Sequence, residues 1–127
     1  MLRRFRTHDL RQVTDLDGVW DFAFLGEADP DAIDPGEIAY DDVMPVPGCF
    51  DATPAYAGRR GLAAYRTWAA VADDARHRLL VGGLHHWGRV IVNDRVVGDH
   101  VGGFVPFTAD FAVAEAQEVE IVLLADN

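Results

Sequence analysis

The chain has 127 residues, half of them hydrophobic, with a formal net charge of −10; that is enough for one domain with a real core and too little for two. The acidic balance excludes a phosphate-neutralising surface for duplex nucleic acid, a lone Cys49 excludes an internal disulfide, and no run reaches the roughly 20 apolar residues of a membrane helix. Lysine is absent, only Arg3, Arg4 and Arg6 cluster among the basic residues, and the first ten residues lack the apolar stretch of a signal peptide, so a cytoplasmic protein is expected.

Residues 1–14 are polar, and Asp15-Leu16-Asp17-Gly18 marks a turn. From 19 to 25 the side chains alternate, with Trp20, Phe22 and Phe24 opposed to Asp21 and Ala23, which predicts a strand with its aromatic face in the core. Residues 26–42 carry Glu27, Asp29, Asp31, Asp34, Glu37, Asp41 and Asp42 with two prolines and no base. Their order does not match the D-x-[DN]-x-[DN]-G pattern of a calcium loop, and a solvated acidic loop is expected.

Residues 43–50, VMPVPGCF, read as an edge strand held by two prolines. An irregular loop follows over 51–62, with Arg59 and Arg60 at its tip. Paired arginines suit a carboxylate such as an acidic sugar, although two solvated bases on an acidic surface is the commoner arrangement. Residues 63–71 and 78–83 are further strands, the second ending in Gly82-Gly83, which suggests a bulge. Between them Asp73-Asp74 marks a turn.

Residues 85–107 organise the rest. Val90 and Val92 alternate with Ile91, Asn93-Asp94 fits a two-residue hairpin turn, and Val96 and Val97 resume the apolar run. Gly102-Gly103 then permits a path closed to residues with a Cβ, and Phe104, Pro106 and Phe107 give the following loop its weight. Residues 109–116 read as a linker with at most one short helical turn over 112–118, and 119–125 as a last strand. No segment keeps a helical period over three turns, so six or seven short strands predict a β-sandwich.

No constellation carries evident chemistry. His85 and His86 are adjacent on a strand and point to opposite faces, so they do not share an ion with His100, and structural histidines are the better reading. Nothing places a histidine beside Cys49, for which a small buried thiol is the commoner state. No nucleophile elbow, phosphate loop or dinucleotide fingerprint occurs, and no metal or cofactor is expected.

Several motifs in register nevertheless resemble a family: LDGVWDF at 16–22, VPGCF at 46–50, YAG at 56–58, RVIVN at 89–93, VGDHVGGFVPF at 97–107 and the final ADN. Together they are similar to the N-terminal sugar-binding domain of glycoside hydrolase family 2, most of all the β-glucuronidase group. The resemblance implies an all-β, jelly-roll β-sandwich of the galactose-binding type, C-terminally truncated, filling residues 1–127 as a single domain with the family's immunoglobulin-like domain and barrel absent. It makes Trp20, Asn93, His100, Gly102, Gly103, Pro106 and Phe107 structural motif residues, and Arg59, Arg60 and Tyr65 the positions for sugar contact.

The family's catalytic glutamates belong to the barrel, so a non-catalytic scaffold of a retaining glycosidase is implied. Its partners would be a glucuronide or galactoside and the chain's own further domains. Two other readings stand beside it: a carbohydrate-binding module using Trp87, Phe104 or Tyr56 as an exposed platform, and an interaction domain, homo-oligomeric or not, completed by strand pairing at an open edge. The chain departs from the family at Ala64-Tyr65-Arg66-Thr67, where W-Y-x-R is usual, and in the longer loop before it.

Overall fold

A computed structural model describes residues 13–71, 75–84, 86–102 and 105–127. Arg3, Arg4, Arg6, His85, Gly103, Phe104 and the turn expected at Asp73-Asp74 lie outside the described residues. Eight strands are found among those described: β1 (Gly18–Gly26), β2 (Asp42–Val46), β3 (Leu62–Val71), β4 (Ala75–Val81), β5 (Trp87–Val92), β6 (Arg95–Val101), β7 (Phe107–Val113) and β8 (Gln117–Asp126). They form two antiparallel sheets of a jelly-roll-like sandwich, one ordered β2-β1-β3-β8-β5-β6 and the other a β4-β7 pair.

The alternation seen in β1 works as expected, since Trp20 and Phe22 face the space between the sheets and are almost fully buried. Leu79, Val81, Phe107, Phe111 and Val113 of the small sheet pack against the same cluster, together with Val90, Ile121 and Leu123 of the large one. Trp20 keeps its indole N–H satisfied by donating to the Leu16 carbonyl at 2.8 Å. Phe22 sits among Phe50, Tyr56 and Tyr65 with ring centroids 5.0–5.7 Å away, so the 3-10 turns at Phe50–Ala52 and Pro54–Tyr56 pack their rings against the β1 and β3 part of the core. Tilted and edge-on pairs at such distances add to the burial of each ring.

The other face of the large sheet is also covered, which the alternation in β1 does not announce. Ala23, Leu62, Ala64, Ile91, Val122 and Leu124 form a second buried cluster, and Ala28, Ile33, Ile38 and Tyr40 of the acidic segment pack on it. The segment is therefore not a loop merely solvated by its charge. Its carboxylates point outward while its sparse apolar side chains bury, and Asp29 and Asp34 cap the 3-10 turns Pro30–Ala32 and Pro35–Glu37 by accepting from backbone N–H groups. The missing base comes from β5: Arg89 donates to both carboxylate oxygens of Asp99 at 2.7 and 2.9 Å and pairs with Asp31 at 3.0 Å.

Other expectations change. Residues 107–113 form strand β7 rather than a linker, because Phe107, Ala109, Phe111 and Val113 alternate inward against β4. Residues 114–116 are a bend and carry no helix. β4 ends at Val81, before Gly82 and Gly83, and the bulges fall instead at Phe24/Gly26 and Val90/Ile91. The last strand lies inside the large sheet between β3 and β5, so the open edges of that sheet are β2 and β6. β2 carries Pro45, as an edge strand permits.

The expected hairpin is present. Asn93 and Asp94 have φ of 48° and 64°, the left-handed pair of a type I′ turn that matches strand twist. Asn93 also reaches beyond the turn, with its Oδ1 accepting from the Glu120 N–H at 2.9 Å and its Nδ2 donating to Gln117 at 3.2 Å. Gly102 has φ of 126° and donates to the His86 carbonyl. His100 stacks on Phe107 at 4.5 Å and 6°. Pro106 is exposed and leads into β7.

Candidate functional site

The loop that carries Arg59 and Arg60 leaves the turn at Tyr56 and re-enters the sheet at Leu62. Its course is fixed at several points. The Arg59 N–H donates to the Tyr56 carbonyl at 3.0 Å, and Gly58 supplies a φ of 72°. Asn127, just past β8, accepts from the Gly61 N–H at 3.0 Å and donates to the Arg59 carbonyl at 3.4 Å. Gly61 has φ of 137°, and a Cβ there would stand 2.7 Å from the Gly26 carbonyl oxygen, so this position takes glycine for both conformation and space.

Arg59 and Arg60 are both exposed on this braced loop. The Arg59 guanidinium lies 5.7 Å from the centre of the Phe24 ring, within reach of a cation–π contact. Tyr65 is placed differently. Its ring is 9% exposed and packs edge-on against Phe22 at 5.1 Å. Burial raises its pKa well above the ordinary phenol value, with Cys49 and Asp51 adding to the effect. The two arginines thus share one loop, and Tyr65 stands in the aromatic cluster beneath it.

Tyr56 links that cluster to the surface by donating to Asp42 at 2.8 Å, and this bond lowers the pKa of Asp42 and raises that of Tyr56. Cys49 is exposed rather than buried, because it precedes the 3-10 turn at Phe50 instead of lying within a strand. Its thiol donates to Asp51, and that carboxylate, which would repel a thiolate, raises the thiol pKa. Such a thiol is a poor nucleophile at neutral pH.

Of the aromatics considered as platforms, Tyr56 belongs to the core cluster, and Trp87 is half-buried beside the second cluster with Arg89 5.3 Å from its ring. Among the described residues the exposed aromatic is Trp68, at 49%. Parity along β3 carried the signal: Trp68 shares a face with Ala64 and Arg66, but lies beyond the part of that face covered by the acidic segment. Only the tertiary cover distinguishes the buried from the open end of that face.

Beside Trp68, Arg66 pairs with Asp21 at 2.9 Å and with Glu120 at 3.8 Å, and its guanidinium sits 4.1 Å over the Tyr40 ring. An open cleft of about 360 Å³ adjoins this group, walled by Asp21, Tyr40, Asp41, Asp42 and Val43. Burial pushes the Tyr40 phenol up to about 12. Among the described residues no group of three or more His, Cys, Asp or Glu is arranged to hold a metal ion, and no helix is long and apolar enough to cross a membrane.

No family model matches the chain. A β-glucuronidase of Streptococcus agalactiae is 31% identical over 92% of this chain and 20% of its own. Among solved structures, an uncultured Clostridium sp. β-glucuronidase superposes with a TM-score of 0.81 at 26% identity, covering all of this chain and 24% of that one. A GH2 β-galacturonidase from Eisenbergiella tayi, bound to galacturonate, gives 0.79 at 26% identity over all of this chain and 21% of its own. The chain is homologous at the level of the family to these GH2 enzymes, and it spans about a fifth of their length.

Proposed function

We propose that this chain is the non-catalytic sugar-binding and scaffold part of a retaining family 2 glycosidase that acts on glucuronides or galactosides. The observation that carries this reading is that one continuous fifth of such enzymes accounts for the whole sandwich. In the proposal, catalysis resides in further domains of the same protein, and this domain packs beside them and contributes a rim to their pocket. The braced loop at 57–61 supplies that rim. Arg59 and Arg60 project from it, fixed in position by Asn127 and Gly61, and two guanidinium groups suit the carboxylate of a uronic acid. Tyr65 supports them from within the aromatic cluster.

The test has two parts. The chain alone is expected to leave 4-nitrophenyl β-D-glucuronide and β-D-galactoside intact, and turnover above background would overturn the non-catalytic assignment. The chain is then exchanged for the matching part of the uncultured Clostridium sp. β-glucuronidase, which aligns with all of it. In an active exchange enzyme, replacing Arg59 and Arg60 by alanine should raise KM for the glucuronide and leave kcat near its starting value. An unchanged KM would remove the loop from the pocket.

A further inference from the structure

We propose that the outer face of the large sheet around Trp68 is a stacking surface for a neutral sugar chain, separate from the loop of Arg59 and Arg60. The two places lie at different ends of β3: Trp68 is six residues beyond Leu62, a separation of about 20 Å along a strand. The inference therefore does not depend on the function proposed above.

The argument starts from cover. On this face of β3, Leu62 and Ala64 are buried, Arg66 is half-buried and Trp68 is 49% exposed. The indole stands on a strand paired with β8 along its whole length, with Trp68 directly opposite Glu120. Its backbone is thus fixed before any ligand arrives, which lowers the ordering cost of binding.

The polar groups around the indole decide the occupant. Arg66 lies between the rings of Tyr40 and Trp68, 4.1 and 6.0 Å from their centres, and is held by Asp21 and Glu120. Asp41 and Asp42 line the adjoining cleft. A pyranose presents an apolar C–H face and a rim of hydroxyl donors, which fits an aromatic plane edged by carboxylates. A tight protein contact would bury Asp21, Asp41 and Glu120 against one already paired arginine, at a large desolvation cost. A second copy of the chain would bring the same carboxylates against them. A uronate would be repelled by the same excess of negative charge.

The experiment titrates the full chain with cellohexaose and, separately, with oligogalacturonate of similar length, following indole fluorescence and the amide shifts of Arg66, Trp68 and Glu120. Saturable binding of cellohexaose with shifts centred on these residues is expected, with no binding of the acidic chain. Trp68→Ala should weaken it at least about tenfold without a change in melting temperature, and Trp68→Phe should recover most of the loss. The proposal fails if cellohexaose does not bind, if Trp68→Ala binds it as the parent does, or if oligogalacturonate binds more tightly. It also fails if sedimentation shows a dimer that Trp68→Ala dissolves, since the face would then be a protein contact.

Discussion

The side-chain oxygen of Asn93, in the turn between β5 and β6, accepts a hydrogen bond from the backbone N–H of Glu120 in β8 at 2.9 Å. The Asn93 N–H in return donates to the Glu120 carbonyl at 3.0 Å. One residue therefore shapes the hairpin and fastens it to the centre of the large sheet.

Two substitutions separate these roles. Asn93→Gly keeps the left-handed backbone and loses the side-chain bonds, for an expected cost of about 1 kcal/mol. Asn93→Ala loses both and should cost about 2 kcal/mol. Urea denaturation of the two variants measures the difference, and equal stabilities would show that the φ of 48° carries no strain for alanine.

The loop at 57–61 contains two glycines with positive φ and unequal surroundings. A Cβ at Gly58 meets nothing within 4 Å, whereas one at Gly61 meets the Gly26 backbone at 2.7 Å. Gly58→Ala is expected to cost about 1 kcal/mol from conformation alone, and Gly61→Ala about 3 kcal/mol because backbone must move as well. Thermal unfolding of both variants tests the order, and the reverse order would contradict the close approach of Gly61 to Gly26.

Phe22 is fully buried at the centre of the aromatic cluster, while Val19, three residues earlier on the same strand, is 69% exposed. Phe22→Ala should cost about 4 kcal/mol through lost burial and the cavity left behind. Val19→Ser should stay within about 0.5 kcal/mol. Denaturant midpoints for the pair would show whether the sandwich depends on that cluster.

The chain's three tyrosines, Tyr40, Tyr56 and Tyr65, all have raised pKa values, through burial at Tyr40 and Tyr65 and through the bond to Asp42 at Tyr56. Above about pH 10 the unfolded chain loses phenolic protons that the folded chain retains. This contribution to stability is complete below about pH 10 and declines as pH rises through the folded values. Ultraviolet titration should show tyrosinate forming together with loss of near-ultraviolet circular dichroism. A gradual titration centred near pH 10 in an intact fold would contradict the burial of Tyr40 and Tyr65.

The all-β class, the strand from Trp20 to Phe24, the edge strand at Asp42–Val46 with Pro45, shorter than the 43–50 expected, and the hairpin at Asn93-Asp94 were legible in the sequence. Each rests on local physics: a period of two, a missing N–H, or a backbone conformation that few residues accept. The motifs in register led to the family-level homology for the same reason, because glycines and aromatics needed for shape leave a pattern.

Tertiary structure decided what covers what. Residues 26–42 carry enough charge to read as solvated, yet Ile33, Ile38 and Tyr40 bury the second face of the sheet, and the balancing Arg89 arrives from a strand about fifty residues later in the chain. The same cover ends before Trp68, so one face of β3 is core at Ala64 and open surface at Trp68. The period of two assigns both residues to that face. Which neighbours lie over it is set by long-range packing, and no local pattern records it.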